Sequence, residues 1–220
     1  MRTELNFLEL HFLVGELQVL VGSRLDNVYD GLLQFHKSGV GKFFLRISDK
    51  ALWLSKKSFV ECSGLCSVLR KFLKGKKMVA LEQIGSERVV RFTFQTQKEI
   101  FLLFAEFFSN GNLILTDESK KILGAKEERA WKDREIRRGK IYVLPPARQN
   151  LFEIKVIPSD EKSLAALGFG RLLAKEIVAR GGNLDAYKSI LREKPCAFLY
   201  DGEMSPFRLV QFAEGQSFAN

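Results

Sequence analysis

The chain from Arg24 to Thr116 is cut repeatedly by turn-forming residues into short runs of strand-like pattern, and this rhythm restricts the fold more than any other feature. The runs are Arg24 to Tyr29, Leu32 to His36, Lys42 to Ser48, Ala51 to Leu54, Met78 to Ile84, Arg88 to Phe94, Ile100 to Phe107 and Leu113 to Thr116. Between them lie Ser38-Gly39-Val40-Gly41, Gly85-Ser86-Glu87 and Ser109-Asn110-Gly111-Asn112. The last contains Asn-Gly, the strongest short hairpin signal, because both residues tolerate the positive φ that a tight hairpin turn needs. About eight strands in this arrangement predict a sandwich or a partly closed barrel.

Helical spacing appears on either side of this region. Leu8, Phe12, Leu13, Leu17, Leu20 and Val21 recur at helical intervals from Asn6, and Gly22 ends the run. Cys66, Leu69, Phe72 and Leu73 share one face of a short helix whose other face carries Arg70, Lys71 and Lys74. Lys120 to Lys140 is charge-rich and weakly periodic, and it leads to Tyr142-Val143-Leu144-Pro145-Pro146, an extended boundary. The spacing therefore predicts an α+β protein with a β-rich module over residues 1–147 and a helical module over 148–220. In the second module, Ser159 can cap a helix, Gly168-Phe169-Gly170 turns the chain, Leu172 to Arg180 is helical, and Asn183 caps a further helix. Strand-like pattern returns at Ala197 to Tyr200 and Phe207 to Phe212, around a turn at Gly202.

Charge and composition narrow the function. Lys and Arg number 35 against 26 Asp and Glu, a net +9 that favours anionic partners. Apolar residues make up 46% of the chain, enough to bury a real core and to exclude intrinsic disorder. The apolar N-terminal stretch is interrupted by Glu4, Glu9, His11, Glu16 and Gln18, so it reads as an amphipathic helix, not a signal sequence or membrane span. Cys62, Cys66 and Cys196 are expected to be reduced thiols of a cytoplasmic protein. With only His11 and His36 besides, no metal site is expected. No nucleophile elbow, phosphate loop or dinucleotide fingerprint is present, and no cofactor or catalytic residue is expected.

Three features can hold a polyanion. The first is a pair of basic clusters, Arg70-Lys71 with Lys74, Lys76 and Lys77, and Lys132 with Arg134, Arg137, Arg138 and Lys140, which can release counterions from a phosphate backbone. The second is the Gly168-Phe169-Gly170 turn, whose glycines and following helix can present backbone N–H groups to a phosphate, with Arg171 and Lys175 in support. It is similar to a helix-hairpin-helix turn framed by Leu164, Leu167, Ala174 and Ile177, with its leucines one residue nearer the first glycine than usual. The third is Glu87-Arg88 at a hairpin tip, where a guanidinium can stack on a base or grip phosphate beside an acceptor for nucleobase donors.

Leu8-Glu9-Leu10, Gly22-Ser23-Arg24-Leu25-Asp26-Asn27-Val28-Tyr29, Leu69-Arg70-Lys71-Phe72-Leu73, Glu87-Arg88, Gly111-Asn112-Leu113-Ile114-Leu115-Thr116-Asp117, Arg137-Arg138-Gly139-Lys140-Ile141-Tyr142, Pro145-Pro146 and the segment from Gly168 to Gly181 occur in one order along the chain. That ordered set resembles the N-terminal domain of the NFACT family of ribosome-associated quality-control proteins. The resemblance implies a lobe similar to that of formamidopyrimidine-DNA glycosylases, followed by a helix-hairpin-helix-like module. It implies binding of tRNA and of a large ribosomal subunit carrying obstructed peptidyl-tRNA, in support of untemplated C-terminal tailing. It also implies a tRNA contact through Glu9 and Glu87-Arg88, both acids being Glu where the family has Asp. The family continues into a coiled coil where this chain reaches Gln216, so the resemblance implies a truncated or split protein. A glycosylase shares the implied lobe but begins Pro-Glu, whereas this chain begins Met1-Arg2-Thr3-Glu4. Some family members carry a fibronectin-binding name, but the missing signal sequence and strong basicity weigh against an adhesin.

Overall fold

The computed structural model describes residues 4–56, 62, 64–146, 149–200, 203–212 and 215–218. Helix α1 (Phe7–Glu16) starts at Asn6, whose side chain accepts from the N–H groups of Leu8 and Glu9, while the Glu9 carboxylate accepts from the Asn6 N–H at 2.8 Å. This reciprocal cap satisfies donors that the first helical turn would otherwise leave unpaired. The expected run to Val21 divides, because Leu17–Leu20 tighten into a 3-10 turn after α1.

Strands β1 (Arg24–Tyr29), β2 (Leu32–Lys37), β3 (Gly41–Ile47) and β4 (Leu52–Leu54) form one antiparallel meander. Helix α2 (Leu65–Leu73) then carries the chain to a second meander, β5 (Lys77–Gln83), β6 (Val89–Gln95), β7 (Ile100–Glu106), β8 (Asn112–Asp117) and β9 (Ile122–Ala125). The two join through β1 and β5, giving one nine-stranded sheet in the order β4-β3-β2-β1-β5-β6-β7-β8-β9.

Of the two expected arrangements, a sandwich or a partly closed barrel, the single sheet excludes the sandwich of two sheets, and the architecture is α+β around one large sheet. The sheet curls, because the β3–β4 turn lies against the β7–β8 turn although those hairpins sit toward opposite ends of the strand order. Lys126 pairs with Asp49 across this junction, and Lys50 donates to the Ser109 carbonyl at 2.6 Å. No ladder joins β4 to β9 among the described residues. Helix α2 packs inside the curl, and Gly124 leaves the space that Val68 and Leu65 fill.

Gly111 is the tightest point of the junction. Its φ is +64°, and an added Cβ would stand 2.5 Å from the Asp49 Cα, an atom that cannot rotate away. Gly111→Ala is therefore expected to cost at least about 1–3 kcal/mol from the backbone conformation alone, with further loss from the clash. Urea unfolding checks this, and an unchanged midpoint would show that the two turns separate freely.

Strand β7 is a continuous apolar run because both of its faces are covered. Leu103 and Ala105 face the inner core, while Leu102 and Phe104 join Val89, Ile114, Ile122, Ile136 and Tyr142 in a smaller core on the outer face. That outer cover comes from the segment read as charge-rich and weakly periodic, which forms the hairpin β10 (Arg129–Ala130) and β11 (Glu135–Ile136).

The C-terminal helices α3 (Glu161–Leu164), α4 (Gly170–Ala179) and α5 (Leu184–Leu191) build a third core with β12 (Ala197–Tyr200), β13 (Glu203–Ser205) and β14 (Gln216–Phe218). Asp160, not Ser159, caps α3, accepting from the Ser163 N–H at 2.9 Å. Asn183 caps α5 as the sequence predicts. Phe7, Leu8 and Phe12 of α1 pack into this core while Leu10 and Val14 pack into the first, so α1 is shared by both. The module boundary at residue 147 and the Gly202 turn fall outside the described residues.

Two other expectations are corrected. Phe207 to Phe212 forms no strand, because the N–H groups of Val210 and Gln211 are taken by the Glu176 carboxylate. Cys62 and Cys66 are joined as a disulfide with their Cα atoms 5.4 Å apart, so they are not reduced thiols. Helix α2 begins only at Leu65, so Cys62 stands outside the helix and can approach Cys66.

Candidate nucleic-acid interface

The β5–β6 turn points toward the C-terminal helices. Ser86 Oγ accepts from the Leu151 N–H at 2.9 Å, and Gln83 donates to the carbonyls of Phe7 and Glu87 at 2.9 and 3.0 Å. These bonds fix the hairpin tip between α1 and the segment that enters the helical core. A cleft of about 860 Å³ opens there, lined by Glu4, Ser86, Glu87, Arg88, Pro145, Pro146, Gly168 and Gly170 among others.

One wall is the turn between α3 and α4. Ala165–Phe169 forms a kink between the two helices, where Gly168 leaves helical geometry at φ +117°, and Gly170 follows with φ +75°. No atom stands within 4 Å of where a Gly170 Cβ would be, so the glycine is required by backbone conformation, not by crowding. Phe169 provides no side-chain cap for α4, so the first N–H groups of this helix have no side-chain acceptor from the capping position. Such groups, together with the helix dipole, favour an anion.

The opposite wall carries charge. Arg88 Nη1 donates to Glu4 Oε2 at 2.9 Å, and Lys50 pairs with the other Glu4 oxygen. Hydrogen bonds from Lys50 and then Arg88 hold the Glu4 carboxyl below the usual carboxylate range. Glu4 is therefore ionised at neutral pH and competes with any phosphate for the Arg88 guanidinium.

The cleft brings together Glu87, Arg88, Gly168 and Gly170, which lie far apart in sequence. Other sequence-predicted residues lie elsewhere. Glu9 completes the α1 cap and is buried, lining a different groove. Arg70 donates to the Val28 carbonyl at 2.7 Å and lies over the Tyr29 ring. Lys76 pairs with Glu99 at 2.9 Å, while Lys71, Lys74 and Lys77 are exposed. Arg137 and Lys140 both pair with Glu135, and Arg138 is exposed. Arg171 and Lys175 project from α4 into solvent. Arg134 is buried: it binds Glu106 and the Val143 carbonyl and stacks against Trp131 and Tyr142. Its charge is committed to the interior.

Sequence reasoning missed Glu4 and Lys50. No spacing rule connects Glu4 to Arg88, 84 positions away, and only the folded hairpin does so. No cluster of three or more metal-ligating side chains occurs among the described residues, and no helix there is long and apolar enough to cross a membrane.

Residues 6–201 match the family model described as NFACT N-terminal and middle domains. The archaeal Rqc2 homolog aRqcH of Methanocaldococcus jannaschii is 26% identical over 94% of this chain and 35% of that protein. Ribosome quality control complex subunit 2 of Saccharomyces cerevisiae is 33% identical over 64% of this chain and 14% of that protein. The chain thus spans about a third or less of these relatives. Among solved structures, the N-terminal part of the fibronectin/fibrinogen-binding protein of Streptococcus suis superposes with a TM-score of 0.79 at 18% identity, covering 96% of this chain and 93% of that one. The fibrinogen-binding protein of Staphylococcus aureus gives 0.77 at 19% identity over 98% and 95%. Both likenesses concern the fold.

Proposed function

The chain belongs to the family of NFACT N-terminal and middle domains, and from that premise we propose that it is a noncatalytic module of ribosome quality control, binding tRNA and the large ribosomal subunit in the cytoplasm. In this reading it recruits tRNA to a subunit holding obstructed peptidyl-tRNA, and the ribosome's own RNA makes the bonds of untemplated tailing. The supporting observation is the cleft that joins Glu87-Arg88 to the Gly168–Gly170 turn. Arg88 offers a planar, permanently charged fork, and the turn offers backbone donors at a helix start, as a helix-hairpin-helix-like contact would. In this reading the β-rich lobe serves as a glycosylase-like lobe would and supplies the rigid hairpin. Exposed Lys71, Lys74, Lys77, Arg138, Arg171 and Lys175 add sequence-independent attraction.

The test is a titration of tRNA and of large subunits, separately, across a salt series. Arg88→Ala is expected to weaken tRNA binding roughly tenfold and to lower the salt slope by about one. Glu4→Gln is expected to act oppositely, because it releases Arg88 from its carboxylate partner. Unchanged affinity in both variants would remove the cleft from the interface.

A further inference from the structure

The surroundings of the Cys62–Cys66 disulfide fit both of its oxidation states. Cys62 is half-buried and stands outside α2, while Cys66 lies in the first turn of that helix and is 3% exposed. Cys66 Sγ is 3.3 Å from the Val28 carbonyl oxygen, a distance at which a reduced S–H donates to it. The same oxygen accepts from Arg70 Nε at 2.7 Å, one helical turn further on. A cavity of about 470 Å³ borders Cys66, Gly64, Leu65 and Leu69, so a freed sulfur has room to draw back from its partner. The two cysteines are only four positions apart, and a loop this short constrains the unfolded chain little. The bridge therefore adds little to stability compared with one that ties distant segments together.

We propose that Cys62 and Cys66 are a reversible dithiol–disulfide site that exchanges with low-molecular-weight thiols of the glutathione type, and not a permanent structural bridge. Disulfides in a reducing cytoplasm are mostly transient or redox-sensing. That step rests on the cytoplasmic placement proposed above, whereas the exchange chemistry does not. A thiolate of the small thiol attacks the more accessible Cys62 sulfur, forming a mixed disulfide as the Cys62–Cys66 bond breaks. The electron pair of that bond goes to Cys66. There the start of α2, which Gly64 leaves without a side-chain cap, and the Arg70 guanidinium favour negative charge. Proton uptake then gives the S–H that the Val28 carbonyl accepts. A second small thiol attacks the added sulfur, frees Cys62 as a thiol and leaves as a small-molecule disulfide, so two electrons and two protons have passed to the protein. Oxidation by the small-molecule disulfide runs the same steps in reverse.

Titration of the full chain in buffers of reduced and oxidised glutathione tests this, with acid quenching, thiol alkylation and mass measurement of each form. Both forms are expected to coexist within the cytosolic range of glutathione ratios, with circular dichroism showing the reduced form folded. The ratio of reduced to oxidised protein is expected to rise about tenfold for each tenfold rise in the square of reduced over oxidised glutathione, as a two-electron pair requires. Cys196→Ser removes the third thiol and is expected to leave that curve unchanged. In Cys62→Ser, the remaining Cys66 is expected to be alkylated at least about tenfold more slowly than Cys62 is in Cys66→Ser, because Cys62 is the point of attack. A bridge that yields to glutathione only in denaturant would overturn the proposal by making the link structural. Failure of the bridge to form under oxidised glutathione would also overturn it, as would a curve that moves with Cys196→Ser or a Cys66 that reacts faster than Cys62.

Discussion

Glu106→Ala is expected to lower the unfolding free energy by about 3–5 kcal/mol, because it leaves a buried guanidinium without its counter-charge. Glu106 is 2% exposed and Arg134 9%. The carboxylate accepts from both terminal nitrogens of Arg134 and from the Tyr142 hydroxyl at 2.8 Å. Tyr142 in turn stacks on Phe104 with ring centroids 4.2 Å apart, and its burial, then the adjacent Glu106 charge, push the phenol far above its ordinary range. Removing Glu106 therefore strands two polar groups under the outer core at once. For a chain of this size the loss corresponds to a fall in melting temperature of about 6–20 °C. Joint replacement of Glu106 and Arg134 by leucine is expected to recover most of the loss, since the cost comes from the unpaired charge and not from losing an attraction. A Glu106→Ala protein that melts within a degree or two of the parent would show that water reaches the pair.

This network also shows where sequence reading loses its reach. The strands were legible because glycine and Asn-Gly turns are local signals, and β5 to β8 fall within a residue or so of the predicted runs. Asn183 was legible as a cap for the same reason. Closure of the sheet was not, since it rests on Asp49 meeting Gly111 across the fold. Arg134 looked like one more member of a basic cluster, and only the position of Glu106 on β7, 28 residues away, turns it inward. The candidate site divides in the same way. Glu87-Arg88 and Gly168–Gly170 could each be singled out from local chemistry, but their meeting in one cleft, and the hold of Glu4 on Arg88, depend on α1 packing into both cores. Glu9 carries the opposite lesson. Its three-residue spacing from Asn6 is a local capping signal, and the structure uses its carboxylate for the cap.

Glu176→Ala is expected to detach the segment from Phe207 to Phe212 and to cost a further roughly 3–5 kcal/mol in its own right. Glu176 is fully buried on α4 and serves three donors: Arg180 Nε at 2.6 Å, the Val210 N–H at 2.9 Å and the Gln211 N–H at 3.3 Å. Arg180 extends the bridge to Glu193, just beyond α5, and to the Arg208 carbonyl at 2.5 Å. One helical i,i+4 pair thus replaces the ladder that the 207–212 segment lacks, and it ties α4, the end of α5 and that segment together. Alanine removes every acceptor and leaves the Arg180 guanidinium with only Glu193 and a carbonyl. Glutamine keeps an oxygen for Val210 but loses the charge opposite Arg180, so its cost is expected to be about half. Hydrogen exchange distinguishes this from general weakening of the core. In Glu176→Ala the amides of Val210 and Gln211 are expected to lose protection first, while those of β6 and β7, held by ladders on both sides, keep theirs. Uniform loss across both regions would instead mean that the α4 staple supports the whole protein, including the Gly170 end of that helix where the tRNA cleft is proposed.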